Sequence, residues 1–88
     1  MNVEYKNSFV RDIKRIRNNS LKTRVQEVLV QLEGADSLSE IANLKKLRGT
    51  NNSFRIRVGN YRLGGRILED RIVLVRFLHR KDIYRYFP

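Results

Sequence analysis

The chain has 88 residues, no cysteine and a formal net charge of +10. Its length suits a single domain over residues 1–88, large enough to stand without disulfides or metals. The lack of cysteine excludes a disulfide framework and thiolate metal sites and favours the reducing cytoplasm; no apolar run nears the roughly 18 residues that cross a bilayer, and MNVEYKNSF lacks the order of a signal peptide, so no membrane partner is expected.

Met1 to Asn43 carries 7 Lys+Arg against 6 Asp+Glu, and Leu44 to Pro88 carries 12 against 3, so the halves hold +1 and +9. A surplus confined to one half is the footprint expected of a polyanion-binding surface, most simply nucleic acid, although basic faces also occur on many soluble domains.

In chain order, Val3 and Tyr5 alternate within MNVEY, which predicts a short first strand. Asn7 or Ser8 can cap a helix beginning near Phe9, where Phe9, Val10, Ile13 and Ile16 recur at three- and four-residue spacing against Lys14, Arg15 and Arg17. Arg17-Asn18-Asn19-Ser20 breaks that helix, with Ser20 as the next cap. Leu21, Val25, Val28, Leu29 and Leu32 then mark a second helix ending at Gly34. The short connection predicts an antiparallel helix pair. Ala35 to Asn43 reads as a loop with a short helix around Leu38 and Ile41. LKKLRG offers a basic loop or short strand anchored by Leu44 and Leu47, before Gly49-Thr50-Asn51-Asn52 turns the chain. Ser53 to Val58, Tyr61 to Leu68 and RIVLVRFLHR follow as consecutive antiparallel strands joined at Gly59-Asn60 and Glu69-Asp70. KDIYRYFP closes the chain as one helical turn or an extended segment docked on the sheet. The expected fold is α+β: an N-terminal strand and an antiparallel helix pair packed on one face of a small antiparallel sheet.

With Gly59-Asn60 as a two-residue loop, Val58 faces Tyr61, Arg57 faces Arg62, Ile56 faces Leu63 and Arg55 faces Gly64. Arg55, Arg57 and Arg62 then share a face on which the Arg57–Arg62 pairing weakens the sheet. Either water screens these cations, or the face not covered by helices is a trough for phosphates, which the planar guanidinium fork suits. Gly64 and Gly65 leave floor space for a ligand or mark a bulge. Lys45, Lys46 and Arg48 add cations that can track a nucleic-acid backbone.

His79, the only histidine, lies close in sequence to Arg80, Lys81, Tyr84 and Tyr86. It is either structural, or a proton carrier or stacking surface at the end of the trough; the tyrosines either dock on the core or stack on a base. One histidine, no cysteine and scattered acids exclude the usual metal ligand sets. No P-loop, GxGxxG or serine nucleophile motif occurs, so no metal or cofactor is expected. Chemistry left to Arg, His, Tyr and Lys suits RNA, whose 2′-hydroxyl attacks its own phosphate once the strand is positioned and the developing charge is stabilised.

LKKLRG, FRIRVGNYRLG and VRFLHRKDIYR resemble, in order and spacing, segments of the RelE/ParE superfamily of type II toxin-antitoxin toxins, and the helix pair ahead of them matches too. The resemblance covers essentially the whole chain and implies the RelE-like fold. It also implies a toxin that enters the ribosomal A site and cleaves the bound mRNA by 2′-hydroxyl attack without metal. Carried over residue by residue, it places Arg55 and Arg57 on the active strand, Arg62 after the tyrosine, Arg80 at the late arginine that stabilises the phosphate, and the late tyrosine at Tyr84, or at Tyr86 by simple count. Some members carry lysine where this chain has Arg55 and Arg57. An arginine does not readily give up a proton, so the base falls to His79, a tyrosine or a ribosomal group. The family often has a bulky residue at the position of Gly64-Gly65. The implied partners are the ribosome with its mRNA, a small acidic antitoxin that covers the basic face, and operator DNA reached only through the antitoxin complex. A ParE-like inhibitor of DNA gyrase, or an RNA- or ribosome-binding module without activity, are the rival readings.

Overall fold

The computed structural model describes residues 1–50 and 52–88; Asn51, within the expected turn after Gly49, lies outside them. The elements run β1 (Asn2–Tyr5), α1 (Asn7–Lys14), α2 (Asn19–Gly34), a 3-10 turn (Leu38–Glu40), β2 (Leu44–Lys46), β3 (Ser53–Val58), β4 (Tyr61–Leu68), β5 (Arg71–His79) and α3 (Arg80–Tyr86). The strands form one sheet in the order β1-β5-β4-β3-β2. The α+β class is as expected, with one change: β1 pairs parallel with β5, Val3 opposite Ile72, so the sheet is mixed, while the other pairs are antiparallel.

Alternation decides the faces. Phe54, Ile56, Val58, Leu63, Ile72, Leu74 and Phe77 point one way and close against Phe9 of α1, Ile16 of the connection that follows it, and Val25 and Leu32 of α2 in one continuous core. Helix α1 begins two residues earlier than the pattern suggests, with Lys6 at its N-cap and no side-chain cap. Ser8 is committed elsewhere, its hydroxyl donating to the Val75 carbonyl at 2.6 Å. Asn18, not Ser20, caps α2, its Oδ1 accepting from the Leu21 N–H at 3.0 Å.

β1 reaches only as far as Leu74, and α1 takes over the edge of β5 beyond it. The buried Asp12 carboxylate accepts from Phe77 N at 2.9 Å and from Arg76 Nε and Nη2 at 2.8 and 3.1 Å. Acceptance from the Phe77 N–H satisfies a backbone donor on an otherwise open strand edge, and the bidentate pair with Arg76 holds the carboxylate there. The pair also holds the Arg76 pKa above its usual value, chiefly through the hydrogen bonds that Arg76 donates to Asp12 and against the opposing effect of burial.

The second face of the sheet is not left bare. Helix α3 folds back across it, and Ile83 and Phe87 join Leu47, Val75 and Leu78 in a second small core. The tail is therefore a two-turn helix docked on the face that was expected to be uncovered.

Candidate functional site

The first hairpin has the expected register: Arg55 opposite Gly64, Ile56 opposite Leu63, Arg57 opposite Arg62 and Val58 opposite Tyr61. Gly59 takes φ 60° at the first loop position, where a residue with a side chain is strained. Because Phe54, Ile56 and Val58 are buried toward the helices, Arg55, Arg57 and Arg62 emerge together on the α3 side. None pairs with a carboxylate among the described residues, where the ion pairs involve only Arg71 and Arg76. Arg57 Nη2 instead donates to Asn43 Oδ1 at 3.0 Å, and Arg62 Nη1 to the Gly59 and Tyr61 carbonyls at 3.0 and 2.9 Å. Turning toward neutral oxygens separates two like charges that the register sets opposite each other.

Arg55 lies at a cleft. Its guanidinium carbon sits 4.5 Å from the centre of the exposed Tyr84 ring, close enough for a cation–π contact. A cavity of about 540 Å³ opens beside them, with Lys45, Arg48, Arg55 and Tyr84 as its polar lining and Leu47, Phe87 and Pro88 as its apolar wall. Lys45 arrives there because β2 pairs it with Arg55. The neighbouring Lys46 pairs with Phe54 and so faces the other side, where it lines a separate groove with Met1, Asp36 and Asp70. Arg57 and Arg62 stand one face position along from Arg55, roughly 7 Å at strand rise.

Gly64 and Gly65 do not leave floor space. A Cβ on Gly64 would sit 2.5 Å from Phe87 Cδ2, and one on Gly65 2.5 Å from Phe54 Cζ, so each glycine receives an aromatic ring, one from each side of the sheet. They also mark a bulge, since Gly64 pairs with Arg76 and Gly65 with Leu74, leaving Val75 unpaired on β5. The extra residue changes the parity of the strand end. His79 therefore pairs with Tyr61 and emerges on the α1 side, away from the arginines. Its ring meets Tyr61 edge-on at 5.5 Å, and its Nδ1 accepts from the Lys81 N–H at 3.2 Å as the N-cap of α3.

The remaining tail residues divide. Arg80 and Lys81 are exposed on the first turn of α3, and the Arg80 N–H donates to the Asn60 carbonyl at 2.8 Å, tying that helix to the hairpin loop. Tyr86 lies 5.2 Å from the Arg76 guanidinium instead of Arg55. The fold thus gathers Lys45, Arg48, Arg55 and Tyr84 at the cleft, sets Arg57 and Arg62 alongside, and sends Lys46 and His79 to the opposite face. Sequence reasoning missed Phe87 and Pro88 as walls; the Ile83–Phe87 spacing of four was the available signal. It also missed Arg66, exposed on the face of Arg55 by its pairing with Ser53 and Val73.

A family model describing the ParE toxin of the type II toxin-antitoxin system parDE matches residues 3–84. The protein named Toxin RelE3 of Methanocaldococcus jannaschii is 38% identical, with both chains covered in full. This chain belongs to the RelE/ParE family of type II toxin-antitoxin toxins. Among solved structures, the RelB-RelE antitoxin-toxin complex from Methanococcus jannaschii holds a chain 36% identical at TM-score 0.83, over 97% of this toxin and 99% of that chain. The archaeal RelE-RelB complex from Pyrococcus horikoshii OT3 shares the fold at TM-score 0.72 and 22% identity, covering 90% of this toxin and 93% of that chain. Among the described residues no helix of the toxin is long and apolar enough to cross a membrane.

Proposed function

We propose that this toxin is a metal-independent endoribonuclease that cleaves mRNA in the ribosomal A site by attack of the RNA's own 2′-hydroxyl, and so stops translation in the cytoplasm. The observation that carries the reading is the cleft lined by Lys45, Arg48, Arg55 and the exposed ring of Tyr84, with no Asp or Glu side chain among its described lining residues. Three cations suit a phosphodiester whose attack builds negative charge on phosphorus-bound oxygens, and an exposed phenol offers a base-stacking face. Arg55 and Arg48 bind the scissile phosphate, Arg57 and Arg62 hold the neighbouring backbone, and Arg80 reaches the same strand from the start of α3. Lys81 and Tyr86 flank that path. Each role is one that arginine, lysine or tyrosine fills without a metal.

The same cations suit an acidic antitoxin. Relatives of this fold have been solved as complexes with RelB antitoxins, and an antitoxin segment lying over Arg55, Arg57 and Arg62 would occupy the face the mRNA needs. Operator DNA is then reached through the antitoxin.

The ParE name of the matching family model keeps a gyrase inhibitor as the second reading. Inducing the toxin in cells and mapping new mRNA 5′ ends separates the two. Codon-phased cuts that vanish in Arg62→Ala and Arg80→Ala support the ribonuclease. Growth arrest with intact mRNA and DNA damage points to gyrase, and no toxicity in either assay to a binding module.

A further inference from the structure

Cleavage by a 2′-oxygen moves two protons, one off the attacking hydroxyl and one onto the departing 5′ oxygen, and a ribonuclease gains most by supplying the second in place. Of the cleft's polar side chains, Arg48 and Arg55 hold their protons too tightly to serve. That leaves Lys45 and Tyr84. The Tyr84 ring face is occupied by the Arg55 guanidinium at 4.5 Å, an arrangement that orients a stacking surface. Lys45 stands directly across the β2–β3 ladder from Arg55, so a phosphate bound by that arginine is within reach of the lysine's flexible stem. Strand pairing fixes the lysine's Cα, and its exposure leaves the ammonium free, with no side-chain partner among the described residues.

We infer that Lys45 is the proton donor to the leaving 5′ oxygen, a role resting on the ribonuclease reading above. In the step, the 2′-oxygen–phosphorus bond forms and the phosphorus–5′-oxygen bond breaks. The electron pair of the broken bond departs on the 5′ oxygen and takes a proton from the Lys45 ammonium. The proton of the 2′-hydroxyl leaves to water in the open cleft, and the Lys45 amine is reprotonated from water, so no other reactant is consumed. The ammonium also adds positive charge beside the phosphorane, which the conservative variant Lys45→Arg retains. Proton donation and charge are therefore separable.

The test is single-turnover cleavage of ribosome-bound mRNA by the wild type and Lys45→Arg. Each is given a normal scissile phosphate and one whose bridging 5′ oxygen is replaced by sulfur, a leaving group that needs no proton. The account predicts that Lys45→Arg slows cleavage of the normal substrate on the order of 100-fold and cuts the sulfur substrate within about threefold of wild type. An unimpaired Lys45→Arg, or equal slowing on both substrates, overturns the donor role while leaving the ribonuclease intact. A wild type that cuts neither substrate overturns the ribonuclease reading, and the donor role with it.

Discussion

Replacing Gly64 with alanine tests how the cleft wall is built. The new Cβ would lie 2.5, 2.8 and 2.9 Å from Cδ2, Cγ and Cε2 of Phe87, against an ordinary carbon contact of roughly 3.5–4.0 Å, so the ring must retreat by about 1 Å. Phe87 has little room to do so. It is 2% exposed, packs with Leu47 and Ile83, and its N–H donates to the Ile83 carbonyl at 2.8 Å. Alanine's better backbone entropy in a strand returns about 0.5–1 kcal/mol, whereas overpacking a tight site costs about 1–3 kcal/mol. The clash should win, with a net loss of about 0.5–2 kcal/mol and a Tm lower by roughly 2–15 °C for a domain of this size. Urea melts of Gly64→Ala, Phe87→Leu and the double variant form the assay. The smaller Leu side chain should relieve the clash, so the double variant should be more stable than the sum of the single losses by about 0.5 kcal/mol or more. Gly64→Ala within about 0.5 kcal/mol of wild type, or strict additivity, would refute the packing argument.

Arg57→Glu places an opposite charge across from Arg62 and should stabilise the fold by about 0.2–1 kcal/mol in urea melts while lowering mRNA cleavage; a loss of stability would show that the like-charge pair is not a sheet defect. Asp12→Asn leaves the Arg76 guanidinium without its anion and should cost roughly 3 kcal/mol, the low end for a broken buried pair because the Arg76 side chain keeps 24% exposure; a urea midpoint unchanged from wild type would contradict it. His79→Asn should keep the α3 cap and both stability and cleavage, whereas His79→Ala should lose about 1 kcal/mol; a stably folded His79→Asn that no longer cuts RNA would put the imidazole in the chemistry. The Tyr5 phenol is pushed up from 10.0 to about 12, first by partial burial and then by its hydrogen bond and repulsion from Glu33. Its folded pKa exceeds the unfolded value, so its contribution is complete below pH 10 and fades as pH rises through about 12. Phenolate absorbance should show one late-titrating tyrosine that disappears in Tyr5→Phe, and a wild-type curve without it would contradict the assignment.

How far the sequence carried the fold follows from which contacts were local. The hairpin register was legible because a two-residue loop leaves only one way to pair Arg57 with Arg62. β1 was legible as a strand but not as the parallel neighbour of β5, a pairing set by packing between the two ends of the chain. The placement of His79 turned on one residue. Without a bulge, a ladder running back from the Glu69-Asp70 turn sets His79 opposite Asn60, on the arginine face; the unpaired Val75 shifts it to Tyr61 and the other side. Gly64-Gly65 admitted a bulge or an open floor, and only the rings of Phe54 and Phe87 decide between them. Lys45 and Lys46 look alike in sequence, and strand parity separates one at the cleft from one behind the sheet.

Internal attack by the RNA is the central claim, and a single 2′-deoxy substitution tests it. Purified toxin is given ribosomes carrying mRNA with either ribose or 2′-deoxyribose on the 5′ side of the scissile phosphate. The account predicts that the ribose message is cut, leaving a 2′,3′-cyclic phosphate and a 5′-hydroxyl, and that the deoxy message stays whole. Cutting of both messages at the same rate would contradict it.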